Sequence, residues 1–389
     1  MNGINAKQSE RKIHLLYLDG IRGIAAFFVL LYHLMYQIQG YETEWSNLLN
    51  KLLRYGFLGV PAFIVLSGYC LMLPVVRSGN GYISRTLVDF FQRRAKRIIP
   101  PYYATIILCS LISLAIIGLE KFTNFNWHVR QWDWFSPHFS LIDVVLHLLL
   151  IHNFASEQQA FSISTPLWSV AVEWQIYFLF PLLLLPIWRR WGWKAVFGIA
   201  TLIGLGSLYL FDGLLSHSRM YFLISFSIGM LAADISFSEK PKLVWMRKSL
   251  PLQLLVIFFF ALSILTEWEK FALPEWLCSI CASIAAASLM VYCTNLFIEG
   301  KKLPIVIKIL ETPVALALGS FSYSLYLTHA LVITLMRHFL LNFQLAPNVF
   351  VVLLYLVNGG AALLFAYLFY LVFEKPFLSK SRKKFKVVA

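Results

Sequence analysis

Residues 141–154 read LIDVVLHLLLIHNF, and the fold turns on whether they cross a membrane. As a helix they would reach only about 21 Å, short of the roughly 30 Å of hydrocarbon that a spanning helix covers at 1.5 Å per residue. Ten other apolar blocks run to about 15 to 25 residues, nearly all of them the length that does cross. They lie at about 17–38, 55–76, 98–119, 167–188, 195–212, 219–235, 252–266, 276–298, 313–336 and 349–373. In hydrocarbon each backbone N–H and C=O must be satisfied within its own segment, so the blocks are read as helices. Loop charge gives an independent check, because deleting one crossing reverses the side of every later loop. With 141–154 left out, about 25 Lys and Arg fall on one side and about 7 on the other; counted as a crossing, it turns the split to about 12 against 20. The first division places both termini on the cytoplasmic, Lys/Arg-rich side.

The expectation is therefore an all-α, polytopic integral membrane bundle of ten transmembrane helices, with a re-entrant or interfacial segment near 141–154. A single membrane-embedded domain covers 1–389, with a cytoplasmic segment at 1–14, a long external loop at 120–166 and a basic cytoplasmic tail at 374–389. That loop is rich in aromatics, Trp127, Trp132, Trp134 and Phe135 among them, and loops of this length usually carry function. Composition agrees: 59% of the 389 residues are hydrophobic and 13% are charged, where a soluble domain carries about 25%. The net charge of +14 is scattered through short loops and forms no basic domain, so nucleic acid is not expected as a partner. A polar start and the charges Asp19 and Arg22 in the first block argue against a removable signal peptide. All five cysteines lie in apolar blocks, which argues against a disulfide framework, and Cys278-x-x-Cys281 lacks the polar neighbours of a metal site.

Ionisable groups inside spans are costly, which makes each a candidate for function. The opening span carries Asp19 and Arg22, placed to pair at i, i+3, and His33. Arg22 and His33 are just over three turns apart, so they share a helix face with about 16 Å of axial separation. A second group, Arg93-Arg94-Ala95-Lys96-Arg97, enters the third block at its cytoplasmic end, where arginine forks suit phosphate. The third group is Glu173 and His329; counted from the middle of their spans, they and His33 all fall about 6 to 8 Å to the outer side.

Four stretches in order, LDGIRGIAAFFVLLYH, RRAKRIIPPY, LWSVAVEWQIYFLFPL and LGSFSYSLYLTH, resemble the acyltransferase-3 family of membrane acyltransferases, and the likeness runs from Leu18 to the Glu374-Lys375-Pro376-Phe377 close. The resemblance implies ten crossings, acetyl-CoA or another acyl-CoA as donor, and O-acylation of a sugar in a surface polysaccharide, lipopolysaccharide or glycolipid of a bacterial inner membrane. Arg22 and His33 match the family's Arg and His pair, and Arg94 with Arg97 its RxxR. Trp174 departs from the pattern, since a second Glu is common there, and no part of the sequence matches the extracytoplasmic domain fused to some members.

On this reading His33, Glu173 and His329 are the catalytic candidates, with Glu173 orienting or charge-balancing His33 as the base. Arg22, Arg93, Arg94, Lys96 and Arg97 are the candidates for holding acyl-CoA; no metal is expected. A secondary transporter also has about ten crossings and midplane charges, but no inverted repeat or matched pair of broken half-helices is visible. Succinyl or longer acyl groups and non-sugar acceptors stay open.

Overall fold

A computed structural model describes residues 15–83, 86–128, 133–210, 215–268, 271 and 273–378. The segments 1–14 and 379–389 lie outside these residues, as does Trp132. Of the described residues, 81% are helical. The helices used below are α1 Leu16–Tyr36, α2 Glu44–Leu53, α3 Gly59–Arg77, α4 Leu87–Phe122, α5 Leu141–Leu148, α6 Trp168–Leu179, α7 Leu185–Tyr209, α8 Phe222–Phe237, α9 Pro241–Ser249, α10 Leu252–Thr266, α11 Glu275–Ile298, α12 Pro313–Leu341, α13 Pro347–Leu353 and α14 Gly359–Phe369.

Among the described residues eight helical stretches are long and apolar enough to cross a membrane, and nine if α9 and α10, which meet at 75°, form one span. One of the eight, Thr165–Tyr209, has 45 residues, about 67 Å of helix and more than twice the hydrocarbon thickness. It breaks at Gly192, whose φ of 74° and ψ of −165° lie outside the helical region. A side chain there would meet the left-handed penalty that glycine avoids. Split at that hinge, the stretch supplies two spans.

Helix α5 is only eight residues long, about 12 Å, and is too short to cross. Its segment is held by its main chain. The hydroxyls of Tyr102 and Tyr103 on α4 donate to the carbonyls of His147 and Leu148 at 3.1 and 2.7 Å. Gln175 on α6 donates to the carbonyl of Leu150 at 2.9 Å.

Helices α1 and α12 run parallel in close backbone contact. A Cβ on Gly319 would lie 2.1 Å from the carbonyl oxygen of Asp19, and one on Gly23 would lie 2.2 Å from that of Ala315. At the far end of the pair Arg337 donates from Nε to the carbonyl of Gln37 at 2.6 Å. Small residues at such a crossing let two membrane helices approach until their side chains meet. Helix α12 is broken at Phe321 (φ −118°, ψ 15°), and Glu374 fills the break by accepting from the backbone N–H and hydroxyl of Ser324 at 3.1 and 2.6 Å. Glu374 is buried, three residues before the end of the last helical stretch, Pro347–Phe377.

Candidate active site

Because α1 and α12 touch at Gly23 and Gly319, His33 and His329 face each other further along. Nδ1 of His33 is 2.9 Å from Nε2 of His329 and 2.9 Å from the carbonyl of Val29, one turn back on its own helix. Nδ1 of His329 is 2.9 Å from the carbonyl of Leu325. A carbonyl only accepts, so Nδ1 of His329 carries a proton and, in a neutral ring, its Nε2 is an acceptor. Nδ1 of His33 then faces two acceptors and donates to both. The lone pair of His33 is left on Nε2.

His33 lines a cavity of about 230 Å³ with Tyr32, Trp134, Trp168, Arg219 and Glu275. Trp134, from the 120–166 connection, packs edge-on to the His33 ring at 4.4 Å and donates Nε1–H to its backbone carbonyl at 3.2 Å. Arg219 is ion-paired with Glu275, and its guanidinium lies 4.4 Å over the Trp168 ring. That cation is neutralised where it stands.

A second cavity, of about 80 Å³, holds Arg22, Arg94, Arg97, Glu173 and Tyr177. Val60 and Tyr326 line both cavities, so they form the partition between them. Tyr326 is fixed there by Ser169, with the two hydroxyls 2.6 Å apart, and by donation to the carbonyl of Pro166 at 3.1 Å. Arg22 pairs with Asp19 at 2.7 Å, the i, i+3 contact that the spacing predicts. Nε of Arg94 is buried with no hydrogen-bond partner, and the guanidinium sits 5.9 Å from the Tyr177 ring. Buried guanidinium without full hydrogen bonding is costly and marks a place where an anion would be favoured.

Three expectations change against this geometry. Glu173 does not meet His33: one turn before Tyr177 on α6, it accepts that residue's hydroxyl and lies in the arginine cavity. Counting from a span's midpoint gives height and not direction around the helix axis, which is why depth alone brought it to His33. Arg93 and Lys96 are exposed and line neither cavity. Arg94 and Arg97, three apart, share the inward face, and their neighbours lie on the next one. Sequence reading missed Arg219 and Glu275, which stand at span ends and looked like ordinary loop charges. It also missed Tyr177 and Tyr326, whose signal was a polar tip inside an apolar span that must find a partner when buried. Among the described residues no group of three His, Cys, Asp or Glu could hold a metal.

The profile of the acyltransferase-3 family, described as an acyltransferase domain, matches residues 15–371. The chain belongs to the acyltransferase-3 family. Two Staphylococcus aureus proteins are similar to this acyltransferase-3 chain. One, from strain COL, bears a provisional O-acetyltransferase name and is 27% identical over 396 residues, covering 94% of this chain and 58% of its own length. The other, O-acetyltransferase OatA of strain NCTC 8325, is 24% identical over 393 residues, covering 95% and 58%. The chain thus spans a little over half the length of these relatives. No solved structure matches it.

Proposed function

We propose that this acyltransferase-3 chain moves an acyl group, acetyl in the simplest case, from acyl-CoA on the cytoplasmic side of a bacterial inner membrane to a hydroxyl on the outer side. The acceptor is a sugar of a surface polysaccharide, lipopolysaccharide or glycolipid precursor. The observation that carries the reading is the pair of adjoining cavities, one with three arginines and one lined by His33, whose ring meets His329 behind it. The O-acetyltransferase names of both relatives support ester formation on oxygen.

In the proposed reaction the CoA phosphate next to the pantetheine sits at Arg22, Arg94 and Arg97, with Glu173 and Tyr177 holding the arginines in place. The pantetheine arm passes Val60 and Tyr326, and the thioester reaches His33. Nε2 of His33 takes the proton of the acceptor hydroxyl as its oxygen attacks the thioester carbonyl. The C–O bond forms, the C–S bond breaks, and the imidazolium returns the proton to the departing thiolate. His329, accepting from Nδ1 of His33, holds the ring in the tautomer that leaves Nε2 basic and stabilises the imidazolium, the task of the third group in a triad. Trp134 covers the ring and keeps water from it.

The test is purified protein in nanodiscs with radiolabelled acetyl-CoA and fractionated envelope glycans. Base-labile label on a glycan fraction, lost in His33→Ala, is the expected result. Exchange of a solute across liposomes without CoA, and no transfer, would instead make the chain a transporter.

A further inference from the structure

Helix α3 borders three hollows in sequence order. Val60 and Pro61 line the His33 cavity, Ser67 and Cys70 line the arginine cavity, and Val75 to Arg77 line an open groove at the end of the helix. From Val60 to Arg77 the axial distance is about 25 Å, comparable to an extended acyl-CoA. The groove lies about 10 Å beyond Cys70, on the far side of the arginines from His33.

Its walls mix cations with aromatic faces. The guanidinium of Arg189 lies 4.0 Å from the centre of the Tyr82 ring, and Nζ of Lys240 lies 5.1 Å from that of Trp188. The turn Ser78-Gly79-Asn80-Gly81-Tyr82 forms one wall, with both glycines at positive φ, 72° and 73°. A Cβ on Gly79 would meet nothing within 4 Å. Two carboxylates also border the groove: Glu239, which is exposed, and Asp234, which is buried and accepts from Nε1–H of Trp193 at 2.9 Å. A bare anion would be poorly served by that mixture. A nucleotide is served by all of it: phosphate by Arg and Lys, a base by the aromatic and guanidinium planes, and ribose hydroxyls or an exocyclic amine by the carboxylates.

We propose that this groove is the nucleotide subsite of the donor, taking the 3′-phosphoadenosine end of acyl-CoA while the arginine cavity takes the phosphate next to the pantetheine. The inference rests on the acyl-CoA reading above. Arg189 and Lys240 then act as binding residues for the donor as well as loop charges that orient the chain.

Calorimetric titration of CoA and of 4′-phosphopantetheine into the protein in phosphatidylcholine nanodiscs tests it. Arg189→Glu with Lys240→Glu is expected to weaken CoA by about tenfold or more, the scale of two charge-assisted contacts, and to leave 4′-phosphopantetheine unchanged. Tyr82→Ala, an exposed position, gives a second variant with the same selectivity and a smaller loss. If CoA binds both variants as it binds the wild type, the groove is not a nucleotide site. If the wild type binds neither compound, the acyl-CoA reading falls first and takes this one with it. In phosphatidylglycerol nanodiscs, charge reversal that changes thermal stability while CoA affinity stays constant would make the groove a lipid-headgroup contact and overturn the proposal.

Discussion

The two cavities on either side of Val60 and Tyr326 are built from opposite chemistry. One gathers three guanidinium groups, with Arg22 paired to Asp19 and with Glu173 in the same lining, and the Nε of Arg94 has no hydrogen-bond partner. In the other the cation, Arg219, is already paired with Glu275, and the candidate base is a histidine whose proton positions are set by carbonyls and a second histidine. A charge at about 4 Å acts with several kcal/mol at the dielectric of a partly buried site. A cluster of three guanidinium groups beside His33 would therefore oppose the imidazolium that a base must become. In the proposed reaction, anion capture and proton transfer need different surroundings, and the two cavities keep them a side chain apart.

Replacing His33 with Ala tests this most severely. Turnover is expected to fall by about 100-fold or more, the usual scale for a positioned acid or base, with acyl-CoA affinity held. Single-turnover transfer measured beside CoA binding decides it, and a near wild-type rate would remove His33 from the chemistry. Arg94→Gln with Arg97→Gln should fail in the other parameter. Acyl-CoA affinity is expected to drop by about tenfold or more, and the wild-type loss of affinity with rising salt should flatten in the double variant. Equal salt slopes would leave both arginines as membrane anchors.

The partition itself is expected to be less sensitive. Tyr326→Phe removes the bond to the Pro166 carbonyl and the contact with Ser169, costing about 1 to 2 kcal/mol of local order. The readout is acyl-CoA hydrolysis without acceptor, expected to rise several-fold as water passes between the cavities. An unchanged hydrolysis rate would mean that Val60 alone divides them. Trp134→Phe is the mildest change, keeping the ring contact with His33 and losing one hydrogen bond to its carbonyl, worth about 1 kcal/mol. A fewfold loss of turnover at constant CoA affinity is expected; a loss of CoA affinity instead would place Trp134 on the donor path.

The order of the apolar helices, the short segment at 141–154 and the Asp19–Arg22 pair were legible because spacing along one helix fixes them, whereas α4 extends well before the apolar block at 98–119 that marks it. The hinge at Gly192 was legible only as a gap between two apolar blocks. What the sequence left open was direction around the helix axis and adjacency between helices. Depth put His33, Glu173 and His329 in one layer, but only the glycine contact of α1 with α12 shows that His329 is the one that meets His33. The same ambiguity let Arg93 and Lys96 stand beside Arg94 and Arg97. Arg219 and Glu275, 56 positions apart and each at the end of a span, carry no local pattern that ties them together.

The bonds that hold the 141–151 stretch end on the main-chain oxygens of His147, Leu148 and Leu150. Every amino acid supplies such an oxygen. The grip of Tyr102, Tyr103 and Gln175 is thus indifferent to the exposed side chains of Leu141, Ile142 and Leu149, while buried His147 and Leu150 are held by their own packing as well. Drift at those exposed positions changes the outer surface of the bundle and leaves the histidine pair and the arginines untouched.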